Sequence, residues 1–129
     1  MQGLLPLEEA VIDMLLAGDH PSLSKLRAQL SLAEIRSRQS NGEGFFVEFE
    51  VPAGVERPSI QQKSLHIADV KATLPELKRG AGFILFVREG RLAMLEAYSF
   101  DEPWPEAVTT FALRYTDPSR QTLLAALDD

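Results

Sequence analysis

The chain contains no cysteine, only two histidines and a single tryptophan. Without thiols there is no disulfide framework, no thiolate metal site and no cysteine nucleophile. With His20 and His66 as the whole histidine supply, a serine triad or a multi-histidine metal centre has little to draw on. Basic residues are short as well: 13 Lys and Arg stand against 19 Asp and Glu, a formal net charge of −6. Binding to nucleic acid or to an anionic membrane needs concentrated cations, so neither partner is expected. Long apolar runs are also missing. In MQGLLPLEEAVIDMLL, Glu8, Glu9 and Asp13 interrupt the apolar positions and no positive segment precedes them, unlike a signal peptide or a membrane span. Together with the lack of cysteine, this points to a cytoplasmic protein.

What is present is ordinary material for one domain. At 129 residues a chain can bury roughly two-thirds of its unfolded surface without metals or cross-links. The 45% hydrophobic and 25% charged fractions lie far from the composition of disorder. A single domain over residues 1–129 is expected.

Leu4, Leu7, Val11, Met14 and Leu15 recur at helical spacing between Leu4 and Ala17, and Gly18 follows as a stop. Asp19 or His20 can cap a second helix opened by Pro21, with Leu23, Leu26 and Leu30 on one face. Around Leu32 the period changes to two: Ala33, Ile35 and Ser37 face one way, Glu34, Arg36 and Arg38 the other. After Ser40-Asn41-Gly42-Glu43-Gly44, the residues Phe45, Val47, Phe49 and Val51 alternate with Phe46, Glu48 and Glu50, which predicts an antiparallel hairpin. Residues 52–62 read as a surface loop. Leu65 to Leu74 reads as a strand with a bulge around Ala68 and Asp69. Lys78 to Gly82 is predicted to turn the chain into a central strand, Phe83 to Val87, apolar at every position and so expected to be covered on both faces. Glu89-Gly90 turns it again into Leu92 to Phe100. Thr109 to Tyr115 is a further strand, and Asp117-Pro118 opens a last helix carrying Leu123, Leu124 and Leu127. The fold class is therefore α+β: two N-terminal helices, about six mostly antiparallel strands in a curved sheet, and a C-terminal helix.

Candidate chemistry is sparse. His66 and Asp69, three apart on a strand, point to opposite faces unless a bulge intervenes, so they make a poor metal pair. Gly80-Ala81-Gly82 and the glycines near Asn41 lead into strands rather than helices and do not match a phosphate-binding loop. No metal and no cofactor are expected. Glu96 stands out among carboxylates because Leu92, Met94, Tyr98 and Phe100 share its predicted face; a carboxylate there needs a partner, which Arg36, Arg38, Arg88 or Arg114 could supply. In a pocket between helices and sheet, Glu96 and Tyr98 would contact a small ligand. Asp101-Glu102-Pro103-Trp104-Pro105-Glu106 differs in kind, since prolines restrict the backbone on both sides of the only tryptophan. Rigidity lowers the entropy lost on binding, tryptophan is enriched in binding hot spots, and Asp101, Glu102 and Glu106 could select a basic partner. The competing expectation is that Trp104 folds back onto the core.

The run Gly90-Arg91-Leu92-Ala93-Met94-Leu95-Glu96-Ala97-Tyr98, with Trp104-Pro105 downstream, resembles a family of small, mostly uncharacterised bacterial proteins that share a glycine turn, an L-E-x-Y strand and a W-P loop. The resemblance carries no catalytic residue over. The expected function is a non-enzymatic protein-interaction module, immunity-like or adaptor-like, whose acidic face binds a basic protein. The alternative is a small-molecule-binding or enzymatic α+β fold using the Glu96 and Tyr98 pocket. Homodimerisation through a sheet edge or an apolar helix surface is a third expectation.

Overall fold

A computed structural model describes residues 3–128. Helix α1 runs Pro6–Leu15, two residues shorter at each end than the periodicity suggests. Pro6 occupies the first turn, where its missing N–H is harmless, and the Leu5 N–H donates to Glu8 Oε1 at 2.9 Å, closing the helix start. Helix α2, Pro21–Leu32, is capped by His20, whose Nδ1 accepts from the Ser22 N–H at 3.1 Å.

Seven strands come next: β1 Glu34–Ser40, β2 Gly44–Glu50, β3 Ser64–Ile67, β4 Val70–Leu74, β5 Leu77–Arg88, β6 Arg91–Tyr98 and β7 Ala112–Tyr115; α3, Gln121–Asp128, ends the described chain. The strand order is β1-β2-β6-β5-β4-β7, with β3 beside the far half of β5. Every pairing is antiparallel. The α+β expectation therefore holds.

Bulges account for most departures from the simple alternation. The break between β3 and β4 falls at Ala68 and Asp69, where a bulge was expected. The expected turn at Lys78–Gly82 is instead strand, and β4 and β5 are separated only by Pro75 and Glu76. Gly80 sits inside β5 with φ +72, and a Cβ there would lie 2.4 Å from the Ala72 carbonyl oxygen. It permits a kink in paired backbone rather than a reversal. A register shift between Ile35 and Ser37 leaves Arg36 extra, so Arg38 stands opposite the buried Val47 while Ser37 stands opposite Glu48. The expected facing of Ser37 and Arg38 is thus reversed. A second shift puts Leu92 opposite buried Val87, separating Leu92 from Met94, Glu96 and Tyr98. The last helix starts at Gln121 rather than Pro118 because the Asp117 carboxylate binds the Ser119 N–H and hydroxyl in a local turn.

The three helices cover one face of the sheet. Leu7, Val11, Ile12 and Leu15 of α1, Leu23 and Leu26 of α2, and Leu123 and Leu127 of α3 join Val47, Phe49, Phe83, Leu85 and Leu95 in one buried cluster. Each such side chain contributes roughly 1.5–3 kcal/mol by burial, which makes this layer the main source of stability. Carbonyls at the C-terminal end of α1 would otherwise be orphans. Arg120 donates to Leu15 and Ala17 oxygens at 2.7 and 2.6 Å, Arg27 donates to the Leu16 oxygen, and the Tyr115 hydroxyl donates to Met14 at 2.6 Å. Two arginines at a helix C-terminus also suit its dipole. From α2, buried Gln29 accepts from the Leu92 N–H at 2.9 Å and donates to the Gly90 oxygen at 2.8 Å, tying the β5–β6 turn to the helix layer.

Candidate functional site

Beyond β6 the chain is stitched to the β1–β2 turn. The Ser99 N–H donates to the Glu43 oxygen at 2.9 Å, and the Trp104 N–H to the Gly42 oxygen at 2.8 Å. Asp101, at φ +63, makes the reversal between these anchors. Glu102 then serves the scaffold: its two carboxylate oxygens accept the Lys78 and Arg79 N–H groups at 2.8 and 2.9 Å. These donors, Arg79 first and Lys78 second, hold its carboxyl below the usual range. Glu102, one of the expected contact residues, therefore has both carboxylate oxygens engaged as a backbone clamp. Asp101 and Glu106 are exposed, and neither belongs to an ion pair among the described residues.

So anchored, Pro103–Pro105 crosses the end of the sheet on the helix side. Trp104 meets Phe45 edge-to-face, with centroids 5.4 Å apart and planes at 82°, an arrangement worth roughly 0.5–1.5 kcal/mol beyond burial. It packs against the core cluster yet keeps part of its surface accessible. That surface lines a groove of about 690 Å³ whose walls are the start of α1 at Leu5 and Pro6, the end of β1, Phe45, and residues 104–108. Leu5 is 57% exposed there.

The floor is built on Glu8 and Arg38, which the β1 bulge brings together. Arg38 donates to both Glu8 oxygens at 2.6 Å and to the Gly3 oxygen at 2.7 Å. Glu8 is 1% exposed. Its hydrogen bond and charge hold the Arg38 guanidinium above its ordinary range. The pair is internally satisfied, so the groove offers apolar and aromatic walls over a neutralised floor. It is suited to holding an apolar segment, while Glu106 lines it with a free carboxylate.

Glu96 and Tyr98 lie elsewhere. They alternate with buried Leu95 and Ala97 and so face away from the helices; an enclosed helix–sheet pocket around them is not what the fold builds. Glu96 stands between Phe46 and Ile84 on neighbouring strands and belongs to no ion pair among the described residues. Tyr98 lies across Gly82, where a Cβ would come within 2.2 Å of its ring, and its hydroxyl accepts from Lys71 Nζ at 2.7 Å. His66 stacks edge-to-face on Phe86 at 4.5 Å, whereas Asp69 turns to Arg120, whose Nε donates to Oδ2 at 2.7 Å. The two residues, close in sequence, serve different layers. Among the described residues no group of three or more His, Asp or Glu is arranged to hold a metal, and no helix is long and apolar enough to cross a membrane.

Sequence reasoning missed both ion pairs of the helix layer, Glu8–Arg38 and Asp69–Arg120. Glu8, two residues after the helix-opening proline, carried a capping signal; Arg38 and Arg120 carried none, because their partners are 30 and 51 residues away. The chain matches no protein family model, no curated protein sequence and no solved structure.

Proposed function

We propose that the protein is a non-enzymatic protein-interaction module, immunity-like or adaptor-like, whose groove beside Trp104 receives an apolar segment of a basic partner. The observation that carries this reading is a part-exposed tryptophan, braced by Phe45 and a clamped loop, on the wall of a groove of about 690 Å³. A preformed aromatic wall loses little entropy when it is covered. Free carboxylates at Asp101 and Glu106, in a chain of net charge −6, favour encounter with a cationic surface. A cytoplasmic setting is part of the proposal.

The test is affinity capture from native extract with the wild-type protein, Glu106→Lys and Trp104→Ala, each verified as folded by circular dichroism. A partner rich in Lys and Arg that is held by the wild type, released by salt and lost from both variants supports the proposal. Retention of the same partners by both folded variants contradicts it.

A further inference from the structure

The face of the sheet turned away from the helices is not a plain solvated surface. Cross-strand partners share a face, so the register places Phe46, Ile84, Phe86, Met94 and Tyr98 together on it, all only partly buried. No helix covers them. A stripe of large apolar side chains at the centre of an open sheet is unusual for a face that meets only water.

The charges around the stripe are segregated. Glu34, Glu48, Glu50 and Glu96 lie on the β1, β2 and β6 side; Lys71, Arg88 and Arg114 lie on the β4, β5 and β7 side, where the imidazole of His66 on β3 joins them. Two basic residues break the pattern: Arg36 sits in the edge bulge, and Arg91 is tied to the Ala53 oxygen at 3.2 Å. None of the seven segregated charged residues joins an ion pair among the described residues. The outer members are held apart: from Glu48 and Glu50 on β2 to Lys71 on β4 is three strand spacings, roughly 14 Å, beyond a Debye length at physiological salt. Like charges even stand directly opposite, Glu34 to Glu50 and Arg88 to Arg91, an arrangement that destabilises an isolated sheet.

We infer that this face is a self-complementary dimer interface occupied by a second copy of the chain. A two-fold axis along the strands, between β6 and β5, sets the acidic half of one copy over the basic half of the other and closes the apolar stripe on itself. Sheet-on-sheet packing of this kind needs only the ordinary separation of about 10 Å. The patch is small, roughly 20 Å on a side by strand spacing, so association in the micromolar range is expected. The Trp104 groove lies on the helix side and stays open, so this inference stands apart from the proposed function.

The experiment is sedimentation velocity on three chains: wild type, Glu48→Lys with Glu50→Lys, and His66→Glu with Arg88→Glu. The wild type should dimerise from about 1 to 200 µM, the range a small interface implies, and more tightly at low salt. Each charge-reversed chain alone should associate about a hundredfold more weakly, because like charges now meet, while an equimolar mixture of the two should dimerise again. A wild type that stays monomeric throughout, a dimer that survives both reversals, or a mixture that stays monomeric would each overturn the inference. Should a reversed chain fail to fold, Glu48→Gln with Glu50→Gln must still weaken the dimer and flatten its salt dependence; an unchanged dimer overturns the inference equally.

Discussion

The two faces of the sheet treat charge in opposite ways. On the helix-covered side, Glu8 is matched by Arg38 and Asp69 by Arg120, and both arginines also serve backbone oxygens. On the open side Glu48, Glu96, Arg88 and Arg114 have no ion-pair partner among the described residues. Burial explains the contrast, since an unmatched charge under the helices is far more expensive than one in water. Charges under the helices therefore maintain the fold, while those on the open face and at the groove stay unpaired among the described residues. The acidic loop repeats the division within six residues: Glu102 clamps the scaffold and Glu106 is free.

The sharpest way to break this contrast is Arg38→Ala. Stranding Glu8, 1% exposed, should cost about 3–5 kcal/mol in urea unfolding, and replacing both partners by Leu and Met should recover most of the loss. A loss below about 1 kcal/mol, the scale of an exposed pair, would mean that the pair does not constrain the fold. Next comes Arg120→Ala, which releases Asp69 and two α1 carbonyls; about 2–4 kcal/mol is expected. Gln29→Leu leaves the Leu92 N–H and Gly90 oxygen unmatched and should cost about 1–3 kcal/mol, seen also as faster amide exchange at Leu92. On the other side of the comparison, Glu106→Ala should change stability by no more than about 0.5 kcal/mol.

The smallest effect is a pH dependence. Glu102 has its pKa lowered on folding, so its contribution is present above the ordinary carboxylate value and is lost as pH falls through the depressed one. Below the ordinary range the wild type should lose stability on acidification more steeply than Glu102→Gln. Identical acid limbs in the two unfolding curves would remove Glu102 from the scaffold.

Periodicity carried a good deal of this structure. The alternation of Phe45 to Val51 and the helical spacing of Leu7, Val11 and Leu15 each report a local face that survives folding, whereas the apolar run Phe83 to Val87, expected to be covered on both faces, is covered by helices on one only, with Ile84 and Phe86 part-exposed on the other. Register shifts were not legible, because one extra residue at Arg36 or near Leu92 leaves no mark on composition yet flips the facing of the residues beyond it. That reversal is why Arg38 reached Glu8 and why Glu96 lost Leu92 as a neighbour. Trp104 was nominated by its proline frame; it packs on Phe45 and the core, as one expectation had it, and part of its surface lines the groove. The groove itself was illegible, since its walls come from three distant segments.

The central claim is that the Trp104 groove, with its free carboxylate, receives another protein. The most direct test places a photo-reactive benzoylphenylalanine at Ala107, an exposed residue of the groove lining, and irradiates living cells. The account predicts a covalent adduct with a basic protein that disappears when Glu106→Lys is added. No adduct, or one indifferent to that substitution, would contradict it.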